Sequence, residues 1–246
     1  MKALVLAAGY ATRLYPLTKE YPKPLLTVKT RPIINYILDK IKEIQDIDEI
    51  MVVTNSKFIS RFRAWKRSLS SNKKITLIDD LTKDNSRRLG AIGDMEFAIK
   101  KKHIRDDLLV IGGDNLFDGS LKDFIYFTKS KMDSPVIGAF DIKNKLQAGK
   151  YGVLKLGKAN RIIDFQEKPN KPKSSLVAMC LYYFPKTKLK LIQEYRKDKV
   201  KKSDATGFYI DWLRKKLPVY GFVFKGKWFD IGDRKFYEKA NQAFVQ

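Results

Sequence analysis

The 246-residue chain is 44% apolar and 12% aromatic, ample for a globular core, and no run approaches the ~20 uninterrupted apolar residues of a membrane span. Lys and Arg number 50 against 27 Asp and Glu, a formal charge of +23 that favours anionic partners. A single cysteine, Cys180, excludes an internal disulfide framework and points to a reducing cytoplasm; with a single histidine, structural zinc is excluded too.

The first apolar run, KALVLA at 2–7, reads as a strand buried on both faces. It is short for the apolar region of a signal peptide and continues straight into a functional-looking turn. Pro32 opens a helix, where its missing N–H costs nothing, and Ile33, Ile34, Ile37, Leu38, Ile41 and Ile44 then share one face. EIMVVTN (49–55) is the second strand, followed by a basic helix over 57–69 and a third strand, KITLID (74–79). A helix over 91–101 leads to a fourth strand, DLLVIGG (107–113), and another helix starts at Leu121.

Such alternation predicts a parallel sheet covered by helices on both sides. From Pro135 the order changes: VIGAFDI, GVLKL, RIIDFQE and LVAMCLYYF are strands without full helices between them. The end returns to a helix (206–216), a strand (218–224), a short strand at WFDI and a final helix. The expected fold is α/β, a Rossmann-like three-layer sandwich with a mainly parallel central sheet and an antiparallel extension. Residues 1–246 read as a single domain, without internal repeat, low-complexity linker or hexapeptide solenoid.

The basic runs KKK (100–102), KTKLK (186–190) and KDKVKK (197–202) read as solvated faces. They lack the aromatic interleaving of a single-strand platform, and no zinc finger, helix-turn-helix or RNP-like motif is present. Neither a specific nucleic-acid partner nor a membrane is expected.

In open parallel sheets ligands bind beyond the carboxyl ends of strands, and the chemically distinctive residues fall at such ends. Gly9, Arg13 and Lys23 follow the first strand; Asp114 and Asn115 follow the fourth; Glu167 and Lys168 close RIIDFQEKP; Asp230 closes KWFD. Small residues Ala7, Ala8 and Gly9 allow backbone N–H groups close to phosphate oxygens. Arg13 can fork across two such oxygens, and Lys23 supplies a compact charge on a loop stiffened by Pro22 and Pro24. Asp114 and Asp230 are hard oxygen donors suited to Mg²⁺ beside substrate phosphates. Alone, each has a plainer reading: a turn with a surface arginine, a helix cap, an exposed ion pair. Their joint occurrence at several strand ends predicts a site that moves a nucleotidyl or phosphoryl group. Neither a P-loop nor a Gly-x-Gly-x-x-Gly turn is present.

From LAAGYATRLYPLTKEYPKPLL through RLGAIGD, GGDN, KYGV and FQEKP to WFDIGD, the chain resembles the sugar-1-phosphate nucleotidyltransferases over essentially its whole length and in the family's order. The resemblance implies that Arg13, Lys23 and Lys168 are catalytic, with Gly9, Arg13 and Lys23 holding the triphosphate and the attacking sugar phosphate. Leu6, Ala7, Ala8, Thr12 and Asn115 would bind substrate beside them, and Arg88, Leu89 and Gly90 would lie against the base. Asp114 and Asp230 would bind Mg²⁺. Tyr151, Gly152, Glu167 and Lys168 would contact the sugar phosphate, Glu167 reaching ring hydroxyls and Lys168 the phosphate.

The implied reaction is in-line attack of a sugar-1-phosphate oxygen on the α-phosphorus of a nucleoside triphosphate, releasing pyrophosphate. Its expected substrates are dTTP or UTP and glucose-1-phosphate, with no covalent intermediate and no general base, because the attacking oxygen is already anionic. Two other readings stay open: a cytidylyltransferase acting on phosphocholine or a similar phosphorylated alcohol, and a non-catalytic nucleotide-sugar-binding regulatory homologue. Relatives often associate, which leaves room for a homo-oligomer.

Two departures stand out. The family's Gly-x-Gly-Thr-Arg turn is here Gly9-Tyr10-Ala11-Thr12-Arg13, where a Cβ is tolerated at negative φ and restrictive at positive φ. In LVAMCLYYF, Met179 and Cys180 replace the family's small or hydroxyl residue and glycine, which would reshape the sugar pocket; core packing, not catalysis, is the expected role of both.

Overall fold

The computed structural model describes residues 1–197 and 205–244, so the basic run expected at 197–202 lies, apart from Lys197, outside the described residues. The first apolar run forms β1 (Lys2–Leu6), with Ala3, Leu4 and Val5 fully buried. A long loop carrying β2 (Thr27–Val28) and β3 (Arg31–Pro32) leads to α1 (Ile33–Lys42), and Pro32 sits just outside the helix as its N-cap. The alternation continues through β4 (Glu49–Thr54), α2 (Ile59–Arg67), β5 (Lys74–Asp79), α3 (Gly90–Lys102) and β6 (Leu108–Gly112). β1 lies between β4 and β6 and is parallel to both, with β5 parallel at the outer side of β4. Leu4 packs into the core shared with Ile92 and Met95 of α3, whereas Ala3 and Val5 pack with Ile34 and Ile37 of α1. Burial on both faces is why these strands read as unbroken apolar runs.

Beyond Gly112 come β7 (Asn115–Phe117), α4 (Leu121–Lys129), β8 (Val136–Asp141), the single-turn α5 (Lys145–Ala148), β9 (Gly152–Leu156), β10 (Ile162–Glu167) and β11 (Leu176–Phe184). α6 (Lys190–Lys197), α7 (Thr206–Lys216), β12 (Tyr220–Phe224), β13 (Trp228–Asp230) and α8 (Arg234–Ala243) complete the described chain. The main sheet runs β10-β9-β11-β6-β1-β4-β5, with β8 on β11 and β12 on β8. β11 is antiparallel to β6, β8 and β9, so the parallel core acquires the antiparallel extension that the sequence predicts. Residues of α1, α2 and α4 fill one face and those of α3, α6 and α7 the other, giving three layers.

Three details position the site. The C-terminal half of β11 pairs with β6, while Val177, in its N-terminal half, pairs with Val153 of β9. Between these halves the register against β8 shifts, and Cys180 takes a left-handed φ of 52°. α8 then packs back on the first loop, where Leu14, Leu26 and Val28 share a core with Phe229, Ile231, Ala240 and Phe244. The Tyr237 hydroxyl donates to the Thr27 carbonyl at 2.6 Å, so the end of the described chain fastens the loop that bears Lys23.

The helix α6 was not expected from the sequence. Its KLIQEYRK looks like a charged solvated stretch, and only Leu191, Ile192 and Tyr195 are buried. No helix among the described residues is long and apolar enough to cross a membrane.

Candidate active site

A three-residue ladder brings the two acids together. β13 pairs antiparallel with β7 so that Asp230 lies opposite Asn115, the neighbour of Asp114. The strand end beneath them is tightly seated: Gly113 N–H donates to the Leu6 carbonyl at 2.8 Å. A Cβ at Gly113 would stand 2.8 Å from that oxygen and 3.0 Å from Pro24, too close for any side chain. Lys23 Nζ makes an ion pair with Asp114 Oδ2 and donates to the Ile231 carbonyl at 2.8 Å. Burial, reinforced by the Asp114 charge, pushes Asp230 up to about 6, with Lys23 and Arg13 acting in the opposite sense.

Two cavities meet at this point. One, of about 240 Å³, is lined by Leu6, Ala7, Gly9, Ala11, Arg13, Lys23, Pro24 and Asp114. The other, of about 200 Å³, is lined by Arg13, Asp114, Asn115, Tyr151, Gly152, Glu167, Lys168 and Asp230, together with Phe165, Tyr182, Trp228 and Phe236. Arg13 and Asp114 border both. Arg13 is exposed, and among the described residues no hydrogen bond or ion pair holds its guanidinium.

Within the second cavity, Glu167 is closely packed: a Cβ at Gly207, in the first turn of α7, would fall 1.8 Å from Glu167 Oε2, and one at Gly152 3.1 Å from it. Burial raises the Glu167 carboxyl above its usual range, and Lys168 partly opposes this. Lys168 is largely exposed, with Nζ 3.9 Å from Glu167. The Tyr151 ring lies 5.4 Å from that of Trp228, and burial pushes its hydroxyl up to about 12. Burial likewise pushes the Cys180 thiol, which borders the same cavity, up to about 12, which keeps it neutral near pH 7. Met179 is fully buried in the core, as expected.

Several residues expected as contacts are also engaged within the fold. Ala7 N–H is spent on the Val53 carbonyl at 2.8 Å and so cannot approach a phosphate. Ala8 is buried, its carbonyl accepting from Asn55 Nδ2 at 2.8 Å, and neither Ala8 nor the exposed Thr12 lines either of these two cavities. Ala7 and Gly9 line the first cavity, and a Cβ added at Gly9 would meet nothing within 4 Å. Arg88 and Gly90 also line neither cavity: Arg88 is exposed, with Nη1 on the Asn85 carbonyl at 3.2 Å, and Gly90 enters α3 at a φ of 73° that favours glycine. Asn115 borders the second cavity, but its amide is committed to the fold. Nδ2 donates to the Met179 carbonyl, and Oδ1 accepts from Trp228 Nε1 at 2.6 Å. Ala11 sits at a left-handed φ of 48°, the restrictive case.

Trp228, Phe165 and Gly207 were not expected as site residues. Trp228 and Phe165 lie inside quoted motifs, but nothing local marks Gly207; only docking α7 against β10 brings it to Glu167.

A family model described as Nucleotidyl transferase matches residues 2–246. The chain belongs to this family. Similar members include the Bifunctional protein GlmU of Methanocaldococcus jannaschii, 28% identical over 233 residues that are 94% of this chain and 51% of that protein. GlmU of Methanococcus aeolicus is 31% identical over 94% of this chain and 51% of its own length. A Sulfolobus acidocaldarius protein, provisionally named a mannose-1-phosphate guanyltransferase, is 29% identical over 98% of this chain and 62% of its own. The chain thus spans about half the length of the first two of these relatives. Among solved structures, UDP-glucose pyrophosphorylase complexed with UDP-glucose superposes with a TM-score of 0.82, covering 98% of this chain and 97% of that one. At 20% identity that likeness is one of fold.

In this member of the family Asp114, at the border of both cavities, and Asp230, on the second, are paired acids. Among the described residues no group of three or more His, Cys, Asp or Glu side chains forms a metal cage. A cation held by this pair would complete its coordination from phosphate and water, as Mg²⁺ commonly does.

Proposed function

We propose that the protein joins a nucleoside triphosphate to a sugar-1-phosphate, with dTTP or UTP and glucose-1-phosphate as the substrates. The observation that carries this reading is that Arg13 and Asp114 border both cavities. One chamber takes the triphosphate, between Gly9, Arg13 and Lys23; the other takes the acceptor, against Tyr151, Glu167 and Lys168. The new bond joins an acceptor phosphate oxygen to the α-phosphorus, and the α–β phosphoanhydride bond breaks as pyrophosphate leaves. Arg13 sits where it can neutralise charge developing between the two substrates, while Lys168 holds the acceptor phosphate and Glu167 its hydroxyls.

The paired carboxyls suit a divalent cation: Asp230 is raised by burial and by the Asp114 charge, a mutual repulsion that such an ion relieves. In this reading Asp114 and Asp230 hold Mg²⁺, which supplies charge neutralisation at the phosphates.

A second reading has a specific observation behind it. Tyr151, Phe165, Tyr182, Trp228 and Phe236 line the acceptor cavity together with Glu167, a composition that also suits a quaternary ammonium. A pyrophosphate-release screen with Mg²⁺, crossing nucleoside triphosphates with sugar-1-phosphates and phosphocholine, decides between the two. Turnover above background with a sugar-1-phosphate supports the first reading; turnover with phosphocholine alone supports the second; none with any pair rejects both.

A further inference from the structure

The two cations of the first loop are in different states. Arg13 has no hydrogen-bond or ion-pair partner among the described residues, whereas Lys23 is fully engaged by the acidic side of the site. Its ammonium contacts Asp114 Oδ2 and donates to the Ile231 carbonyl at 2.8 Å, which places it between the chain after β6 and the chain after β13. Its charge acts on Asp230 as well, opposing the rise that burial and Asp114 impose. Only 16% of the Lys23 side chain is exposed. Pro22 and Pro24 flank it in the short helical turn Lys23–Leu25, on a loop pinned by α8.

We propose that Lys23 is the resident counter-ion of the Asp114–Asp230 pair in the nucleotide-free protein and exchanges with the divalent cation when the triphosphate binds. The inference rests on the reading that these carboxylates hold the metal. An ammonium already on Asp114 occupies the charge-neutralising position that a divalent ion needs, and two cations on one carboxylate in a low-dielectric pocket repel strongly. Free metal therefore binds poorly. A metal–triphosphate complex binds well, because it brings both the ion for the carboxylates and anionic oxygens that receive the released ammonium. Binding is thus ordered: metal and triphosphate enter together, and the lysine that stabilised the empty site becomes a phosphate ligand.

The test uses Mn²⁺ as an EPR-visible probe on nucleotide-free protein. Lys23→Met should bind Mn²⁺ about tenfold more tightly than the unaltered protein, the ordinary size of a coupling between neighbouring ligands. Lys23→Arg, which keeps a cation in place, should stay weak. A non-hydrolysable triphosphate should strengthen Mn²⁺ binding far more in the unaltered protein than in Lys23→Met. Equal or weaker Mn²⁺ binding by Lys23→Met, with binding still abolished by Asp230→Asn, overturns this inference and leaves the metal reading standing. Mn²⁺ binding indifferent to Asp230→Asn overturns the metal reading and this inference with it. A second measurement avoids Lys23→Met altogether. The Lys23 Nζ resonance, assigned by its loss in Lys23→Arg, should move on adding Mg²⁺ with the triphosphate analogue and stay put with Mg²⁺ alone; no movement with both overturns the exchange.

Discussion

A β-carbon added to Gly207 would lie 1.8 Å from Glu167 Oε2. The carboxylate is packed on the first turn of α7, where the partial positive charge of a helix N-terminus favours an anion. Gly152 presses from β9, where a Cβ would meet Phe165 at 2.6 Å. Glycines on two elements therefore set the position of one acidic side chain.

Gly207→Ala is expected to displace Glu167 and raise the acceptor KM by about tenfold, the scale of a lost hydrogen bond to a charged group, while the triphosphate KM stays unchanged. Steady-state kinetics with each substrate varied in turn checks this. An unaltered acceptor KM would remove Glu167 from the acceptor site.

Trp228→Phe keeps an aromatic ring beside Tyr151 but removes the indole donor to Asn115 Oδ1. The buried amide oxygen is left unpaired, so stability should fall by about 1–3 kcal/mol. Urea unfolding measures the loss. Stability equal to that of the unaltered protein would mean the bond contributes nothing to holding β7, β11 and β13 together.

Ala11 holds a left-handed φ of 48°, and Thr18 Oγ1 donates to its carbonyl at 2.7 Å. Ala11→Gly removes a strain of about 1 kcal/mol, partly offset by the greater freedom of glycine in the unfolded chain, for a net gain of about 0.5 kcal/mol. Ala11→Val should instead lose more than about 1 kcal/mol, because a β-branched residue resists this conformation further. Denaturant midpoints should rank Gly above Ala above Val; any other order contradicts the assigned backbone.

Glu167 has a folded-state pKa raised by burial above the ordinary glutamate value of 4.5. Below that value both folded and unfolded states are protonated, and the group costs no stability. As pH rises the unfolded chain ionises first, so stability falls until the folded-state value is passed. Glu167→Gln should therefore raise Tm at pH 7 and have no such effect near pH 3. Thermal melts across pH should show the gain appearing as pH rises; a pH-independent gain would place its origin in packing. Activity should fall as stability rises, a trade-off common where a binding group is held in a costly state.

The β/α alternation was legible because strands buried on both faces leave unbroken apolar runs, as in residues 2–7 and 107–113, and because helix faces repeat every three to four residues. α6 escaped because it is only eight residues long: Leu191, Ile192 and Tyr195 do share one face, but two turns set among charged residues are too short for the repeat to stand out. In the site, Arg13, Lys23, Asp114, Glu167, Lys168 and Asp230 stood out as charged residues where apolar strands end, and the structure gathers them around two adjoining cavities. Ala7, Asn115 and Gly90 were marked by the same motifs, and in the fold their N–H, amide and glycine backbone also serve the Val53 ladder, the Met179–Trp228 tie and a left-handed helix entry, while Ala7 and Asn115 line the cavities. A motif's spacing marks a position without showing which partner uses it.

By itself, the sequence determined the family, the layered α/β architecture and which charged groups stand at strand ends, because those depend on local pattern and on residue order along the chain. Only the tertiary structure decided that Lys23 is already paired with Asp114 while Arg13 has no hydrogen-bond or ion-pair partner among the described residues, that Ala11 is left-handed, and that Gly207 makes room for Glu167. Each of these depends on distances between segments far apart in the chain, and such distances are set by how β13 meets β7 and how α7 docks on β10.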